Sequence, residues 1–207
     1  MELVIGAKRY SSWSMRPWLV LKRAGLAFDE TLIALSRQGA TPGDIAVHSP
    51  SGYVPVLKFE GAVVWDSLAI CEYVADRYPE AALWPADPIR RAVARAVTAE
   101  MHSGFAALRS ECPMDLSLRE PRSLGEAAAA DVRRIVALWS ELRREAAGTG
   151  AFLFGDYTIA DAFYTPVATR VRSYDVDLAA FGDTGAAAEY ASALLATPEF
   201  LEWEADA

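Results

Sequence analysis

The 207-residue sequence is poor in cysteine and histidine, with two of each. Cys71 and Cys112 stand far apart in no metal-like spacing, so neither a disulfide framework nor a zinc site is expected, and the usage fits a reducing compartment. A basic excess is also missing. The 20 Lys and Arg face 28 Asp and Glu, a net charge of −8, which argues against a nucleic-acid partner or an anionic membrane surface. Apolar runs of the order of 18 residues, the length a spanning helix needs, do not occur. The start, Met1-Glu2-Leu3-Val4-Ile5-Gly6, has no basic segment leading into a long apolar one. The chain therefore reads as soluble and cytoplasmic.

What is present is globular. Hydrophobic residues make up 53% of the chain and charged residues 23%, enough apolar side chain for packed cores at a length that suits two small domains. The first eighty residues and the rest differ in kind. Short β-like runs at Leu3 to Ile5, Thr31 to Leu35, Val54 to Phe59 and Ala62 to Trp65 alternate with helical stretches near Ser14 to Ala24 and Leu68 to Tyr78. The order is βαβ-α-ββα, with Glu60-Gly61 as a tight turn between the last two strands. Beyond Pro88 the strand signal fades, and Ile89 to Ser110, Leu124 to Ala147, Ile159 to Tyr174 and Ala186 to Ala196 read as helices. The fold class is thus an α/β region followed by an all-α one. Prolines 79, 85 and 88 interrupt any helix between them, so the expected division is residues 1–79, a linker at 80–88, and residues 89–207. Through residue 80 there are 8 basic and 9 acidic residues, and after it 12 and 19. The acidity sits on the helical part, as a solvated helix surface.

Three local patterns bear on chemistry. Tyr10-Ser11-Ser12-Trp13-Ser14-Met15-Arg16-Pro17 joins the first strand to the first helix, with Pro17 expected in the first helical turn. Free N–H groups and the positive end of the helix dipole there favour an anion such as a thiolate. Plain N-capping by Ser12 or Ser14 is the structural alternative. In Gly52-Tyr53-Val54-Pro55-Val56-Leu57 the proline cannot join a strand ladder, which invites a cis bond and leaves Val54 with free backbone groups for a peptide ligand. Asp66-Ser67 opens the next helix with an acid and a hydroxyl, suited to an α-amino-acid end.

With these residues in that order, the chain resembles the cytosolic glutathione transferases over essentially its whole length. The N-terminal part is similar to their thioredoxin-like domain and the remainder to their helical domain. The Tyr10–Arg16 segment resembles the serine motif of the zeta and tau classes, Val54-Pro55 the cis-proline loop, and Asp66-Ser67 the γ-glutamyl site. Gly155-Asp156-Tyr157-Thr158-Ile159-Ala160-Asp161 resembles the capping box of the helical domain, a structural element.

The resemblance implies glutathione as co-substrate, no metal, and a homodimer. Ser11 would hydrogen-bond the glutathione sulfur, flanked by Ser12 and Trp13. Val54 would hold the cysteinyl backbone beside Pro55, and Asp66 with Ser67 the γ-glutamyl group. Tyr53 stands where many members place Lys or Gln, so Arg37 or Lys8 would take the glycyl carboxylate. A pocket for a small apolar electrophile is expected between the domains, lined by Met101, His102, Phe105 and Tyr164, with Arg109 and Met114 near. These residues equally suit a packed core.

The activity implied first is addition of the thiolate to such an electrophile. A glutathione-dependent peroxidase or isomerase would use the same thiol site. A non-catalytic docking module is a further alternative. The zeta-class isomerases of maleylacetoacetate carry an arginine after the capping-box helix where Ser173 stands here, beside Arg172, so isomerase activity is not expected on that residue.

Overall fold

The structure is a computed structural model that describes residues 1–34 and 45–207. Four strands, β1 (Glu2–Gly6), β2 (Asp29–Ile33), β3 (Val56–Phe59) and β4 (Ala62–Trp65), form one sheet in the order β2-β1-β3-β4. β1 runs parallel to β2 and antiparallel to β3, and β4 pairs antiparallel with β3. This is the thioredoxin-like arrangement. Leu3, Val4 and Ile5 of the central strand are fully buried, as a strand covered on both faces requires. The edge strand β2 instead exposes Asp29 and Glu30, charges that discourage further pairing. Glu60 and Gly61 both take positive φ between the paired Phe59 and Ala62, the backbone of a two-residue hairpin turn. β3 starts at Val56 rather than Val54, because Pro55 has no N–H to give the ladder. The helix expected between β2 and β3 falls largely outside the described residues.

Eight α-helices are described: α1 (Ser12–Arg23), α2 (Ser67–Arg77), α3 (Pro88–Ser103), α4 (Ala106–Glu111), α5 (Glu126–Glu145), α6 (Ile159–Ser173), α7 (Ala186–Leu195) and α8 (Pro198–Ala205). α1 begins earlier than the sequence suggested, so Pro17 lies inside the helix and not in its first turn. It removes the bond that would return to the Trp13 carbonyl. The single helix expected over Ile89 to Ser110 is two. Gly104 ends α3, and Phe105 at φ 54° turns the chain so that its ring is buried before α4 starts. Helix α8 was not foreseen. Thr197 caps it and Pro198 opens it, and its Trp203 packs edge-on to Trp18 while donating to the Lys8 carbonyl at 3.0 Å.

α6 is buried along nearly all its length and packs against α1, α3 and α7. Through it one apolar core runs from Leu3 and Trp18 to Trp139 and Trp203, across the proline-rich segment at 79–88. Among the described residues, no helix is long and apolar enough to cross a membrane, and no group of three His, Cys, Asp or Glu side chains could hold a metal ion.

The buried Asp161 fixes the start of α6. Its carboxylate accepts from Thr158 N and Oγ1 at 2.7 and 2.9 Å, from Leu153 N at 3.1 Å and from the Tyr190 hydroxyl at 2.8 Å. The Thr158 side chain accepts from the Asp161 N–H while the Asp161 carboxylate accepts from the Thr158 N–H, so the reciprocal capping box expected from the sequence is present, and the Thr158 hydroxyl also donates into that carboxylate. Asp161→Ala would strand several buried donors, so it should lower stability by about 3 kcal/mol or more in urea unfolding. Thr158→Ala, which removes one donor, should cost about 1 kcal/mol in the same measurement.

Candidate functional site

The loop after β1 delivers Ser11 as the N-cap of α1. Its Oγ accepts from Ser14 N at 3.3 Å and donates to Ser14 Oγ at 2.7 Å, and Ser14 Oγ in turn accepts from Gly6 N. Capping therefore falls to Ser11, not to Ser12 or Ser14. Ser12 Oγ accepts from Arg170 Nη2 of α6 at 3.3 Å, which leaves its own proton free to donate. Both serines are nearly buried, whereas Trp13 is 36% exposed.

Trp13 lines a cavity of about 310 Å³ with Ser51, Tyr53, Val54, Pro55, Trp65, Asp66 and Ser67. The Val54-Pro55 peptide is cis. Among the described residues, neither backbone polar group of Val54 has a hydrogen-bond partner. Of the same lining, Asp66 adopts φ 82° and caps α2, its Oδ1 accepting from Leu68 N at 2.8 Å and Ala69 N at 3.1 Å. One free peptide edge thus faces an acid and a hydroxyl at a helix N-terminus.

Behind that wall lies Arg16, fully buried and without a bonded carboxylate among the described residues. Its Nη1 reaches Ser67 Oγ and His102 Nδ1, each at 3.5 Å, while Nε and Nη2 have no partner. The rings of Trp13 and Phe163 lie over the guanidinium at 4.2 and 4.8 Å. Burial above all, then the charges of Arg170 and Arg109, bring its pKa down to about 9, so it remains a cation at neutral pH. His102 Nε2 sits 3.2 Å from Asp66 Oδ2. Burial holds the imidazole below its ordinary value, with Arg16 and Arg109 reinforcing the shift against the pull of Asp66. Arg170 is likewise lowered, to about 10, mainly by burial.

Residues 10–77 match the family model of the glutathione S-transferase N-terminal domain. The chain is 30% identical over 173 residues to a probable maleylacetoacetate isomerase of Caenorhabditis elegans, covering 82% of this chain and 78% of that protein. The chain belongs to the glutathione S-transferase family. A maleylacetoacetate isomerase of Rhizobium meliloti is also 30% identical, over 82% of both chains. A Burkholderia glutathione transferase homologue solved with bound glutathione superposes with a TM-score of 0.75 at 27% identity, covering 100% of this chain and 98% of the other. This glutathione S-transferase is an enzyme, so the docking-module alternative is set aside.

In this family member the structure gathers Trp13, Val54, Pro55, Asp66 and Ser67 around one cavity, with Tyr53 at its rim, 76% exposed. Arg37 lies outside the described residues. Lys8 is committed elsewhere, paired with Glu30 at 2.9 Å and Asp206 at 2.8 Å, so it is no free partner for a glycyl carboxylate. Of the expected electrophile pocket, Met101 and Tyr164 are core. Both are fully buried, and Tyr164 stacks edge-on to Trp139 and donates to the Val97 carbonyl. Phe105 and Met114 are buried too. Apolar spacing on a helix marks its packed face, and here the faces of α3 and α6 that carry Met101 and Tyr164 pack together rather than lining a cleft. His102 and Arg109 do approach the cavity wall, with Trp13 in ring contact with both.

Ser173 is buried and donates to the Asp115 carbonyl, and Arg172 turns away to Glu204. α6 brings a different cation to the serine turn, Arg170, whose Nη2 donates to Ser12 Oγ. Arg16 and Arg170 were missed as site residues. Arg16 stands inside the serine motif, which was the available signal; Arg170, in an apolar helical stretch, offered only the oddity of a charge there. Because the fold holds His102 neutral, its stability contribution should fade as pH drops from the ordinary histidine value through the depressed one. In a proton NMR titration the His102 ring should titrate below about 6.5, and His102→Gln should remove that part of the acid destabilisation.

Proposed function

We propose that the protein is a glutathione-dependent isomerase that adds the glutathione thiolate reversibly to an activated, acid-bearing alkene. The single observation that carries the thiol half is the free Val54 backbone facing Asp66 and Ser67 across the cavity beside the N-terminus of α1. The names of the two relatives at 30% identity support the isomerase half. Glutathione lies with its cysteinyl backbone on Val54, its ammonium and carboxylate ends at Asp66 and Ser67, and its sulfur at Ser11. We take residues 1–79 as the thiol-binding domain, 80–88 as the linker, and 89–207 as the domain that completes the acceptor side.

In the reaction, the sulfur electron pair forms a C–S bond to one alkene carbon, and the π pair moves to the conjugated carbonyl oxygen. The former double bond rotates, the pair returns, and the C–S bond breaks to release thiolate. Glutathione is not consumed. Arg109, half-buried and within 5.2 Å of the Trp13 ring, offers a cation to an acidic acceptor at the cavity mouth.

Magnitudes separate the contributions. A thiol of pKa about 8.5 is about 3% ionised at pH 7, and one lowered to about 6.5 roughly three-quarters. Nucleophilicity falls with pKa, so the net gain is only about three-fold. Holding the alkene against the sulfur must supply most of the rate, up to about 7–11 kcal/mol in well-oriented cases.

Ser11 must swing its proton from Ser14 to the sulfur, so Ser11→Ala loses both a thiolate donor and a helix cap. We expect a raised thiol pKa in thiolate-absorbance titrations and about 1 kcal/mol lower stability. Asp66→Ala should weaken glutathione binding in calorimetry with the thiol pKa little changed. A cis-alkene diacid should turn over with no loss of free thiol. Loss of one thiol per turnover would favour conjugation, which the aromatic lining of Trp13, Trp65 and Tyr53 suits for apolar electrophiles. The exposed apolar Val63 of β4 and Ile89 and Val93 of α3 support a homodimer, to be checked by sedimentation.

A further inference from the structure

The donor directions around Arg16 extend further than the cavity lining. A guanidinium only donates, so Ser67 Oγ and His102 Nδ1 must both act as acceptors towards it. Ser67 then has its own proton left to give, and it is fully buried apart from its place on the cavity wall. His102, accepting at Nδ1, carries its proton on Nε2 and donates it to Asp66 Oδ2. Asp66 Oδ1 is already filled by two backbone N–H groups. One lone pair of Oδ2 is left facing outward.

We propose that Arg16 and His102 form a positioning relay that fixes Ser67 as a donor and Asp66 as an acceptor for the two charged groups of an α-amino-acid end. The inference rests on the reading that Asp66 holds the ammonium of glutathione, and it assigns the selectivity of that subsite to a histidine on α3. The relay works only with His102 neutral. A proton on Nδ1 would face the Arg16 cation, and an imidazolium would compete with the ligand's ammonium for Asp66. The charged groups facing the ring are Asp66 at the start of α2, Arg16 of α1 and Arg109 of α4, with the uncharged rings of Trp13 and Phe163 closing the rest. Burial and the two cations favour the neutral form.

The test compares two probes by calorimetry: S-methylglutathione, whose blocked sulfur cannot titrate, and its des-amino counterpart, in which hydrogen replaces the ammonium. His102→Ala should weaken the first by about tenfold and leave the second unchanged, the latter also showing that the variant is folded. His102→Gln, which can still donate to Asp66, should restore most of the loss. Affinity of the unmodified protein for S-methylglutathione should fall as pH is lowered through the His102 titration, and this fall should vanish in His102→Gln. Equal weakening of both probes by His102→Ala, or none, with Asp66→Ala still selective for the ammonium, overturns the relay alone. If Asp66→Ala shows no selectivity either, the assignment of the ammonium to Asp66 fails, and the relay with it.

Discussion

A buried guanidinium that has no bonded carboxylate among the described residues is the constraint around which this molecule is organised. Arg16 leaves α1 and meets the start of α2 at Ser67, the end of α3 at His102 and the face of α6 at Phe163. Among the described residues its charge is offset by hydrogen-bond acceptors and by the faces of Trp13 and Phe163 rather than by an ion pair. A buried cation of this kind costs stability unless its surroundings are fixed. Four elements are therefore held in one geometry, and that geometry is the wall of the cavity. Removing any one contact would leave the charge less satisfied, so the wall behaves as a unit.

The same cation sets the local sign of the field. The chain as a whole carries a charge of −8, yet the serine turn faces Arg16, Arg170 and Arg109 as well as the positive end of α1. Net charge describes solubility and long-range steering. At a few ångströms in a low dielectric, the nearby arginines dominate. A thiolate at Ser11 would sit in a cationic pocket within an acidic protein. The C-terminal helix contributes by fixing the loop that carries the serines. Trp203 bonds the Lys8 carbonyl, and the Lys8 ammonium bridges Glu30 and Asp206 beside the rings of Trp18 and Trp203.

Much of the fold and part of the site were legible in the sequence because their signals are local. Alternating apolar runs around Glu60-Gly61 mark a hairpin, Pro55 marks where a ladder must start, and Asp66-Ser67 marks a helix N-terminus. Trp13, Val54 and Asp66 could be grouped because each lies in a short, recognisable turn. What failed to show is long-range. Helical spacing indicates that Met101 lies on an apolar face of α3 and Tyr164 on one of α6, but not whether those faces meet a cleft or each other, and here the two helices pack together in the core. The roles of Arg16 and Arg170 depend on which side chains α2, α3 and α6 bring within reach, which no local pattern encodes. α8 is short and rich in glutamate, so its amphipathic signal is weak, and only the tertiary partners of Trp203 explain why it forms.

The central claim is that the cavity between Val54 and Asp66 seats glutathione with its sulfur at the N-terminus of α1. A crystal structure of the complex with glutathione tests it most directly. The account predicts a sulfur within hydrogen-bond distance of Ser11 Oγ, a cysteinyl backbone paired with the N–H and C=O of Val54, and an ammonium on Asp66 Oδ2 with His102 still bonded to the same oxygen. A ligand seated elsewhere, or one whose sulfur lies away from Ser11 with Val54 left unpaired, would contradict it.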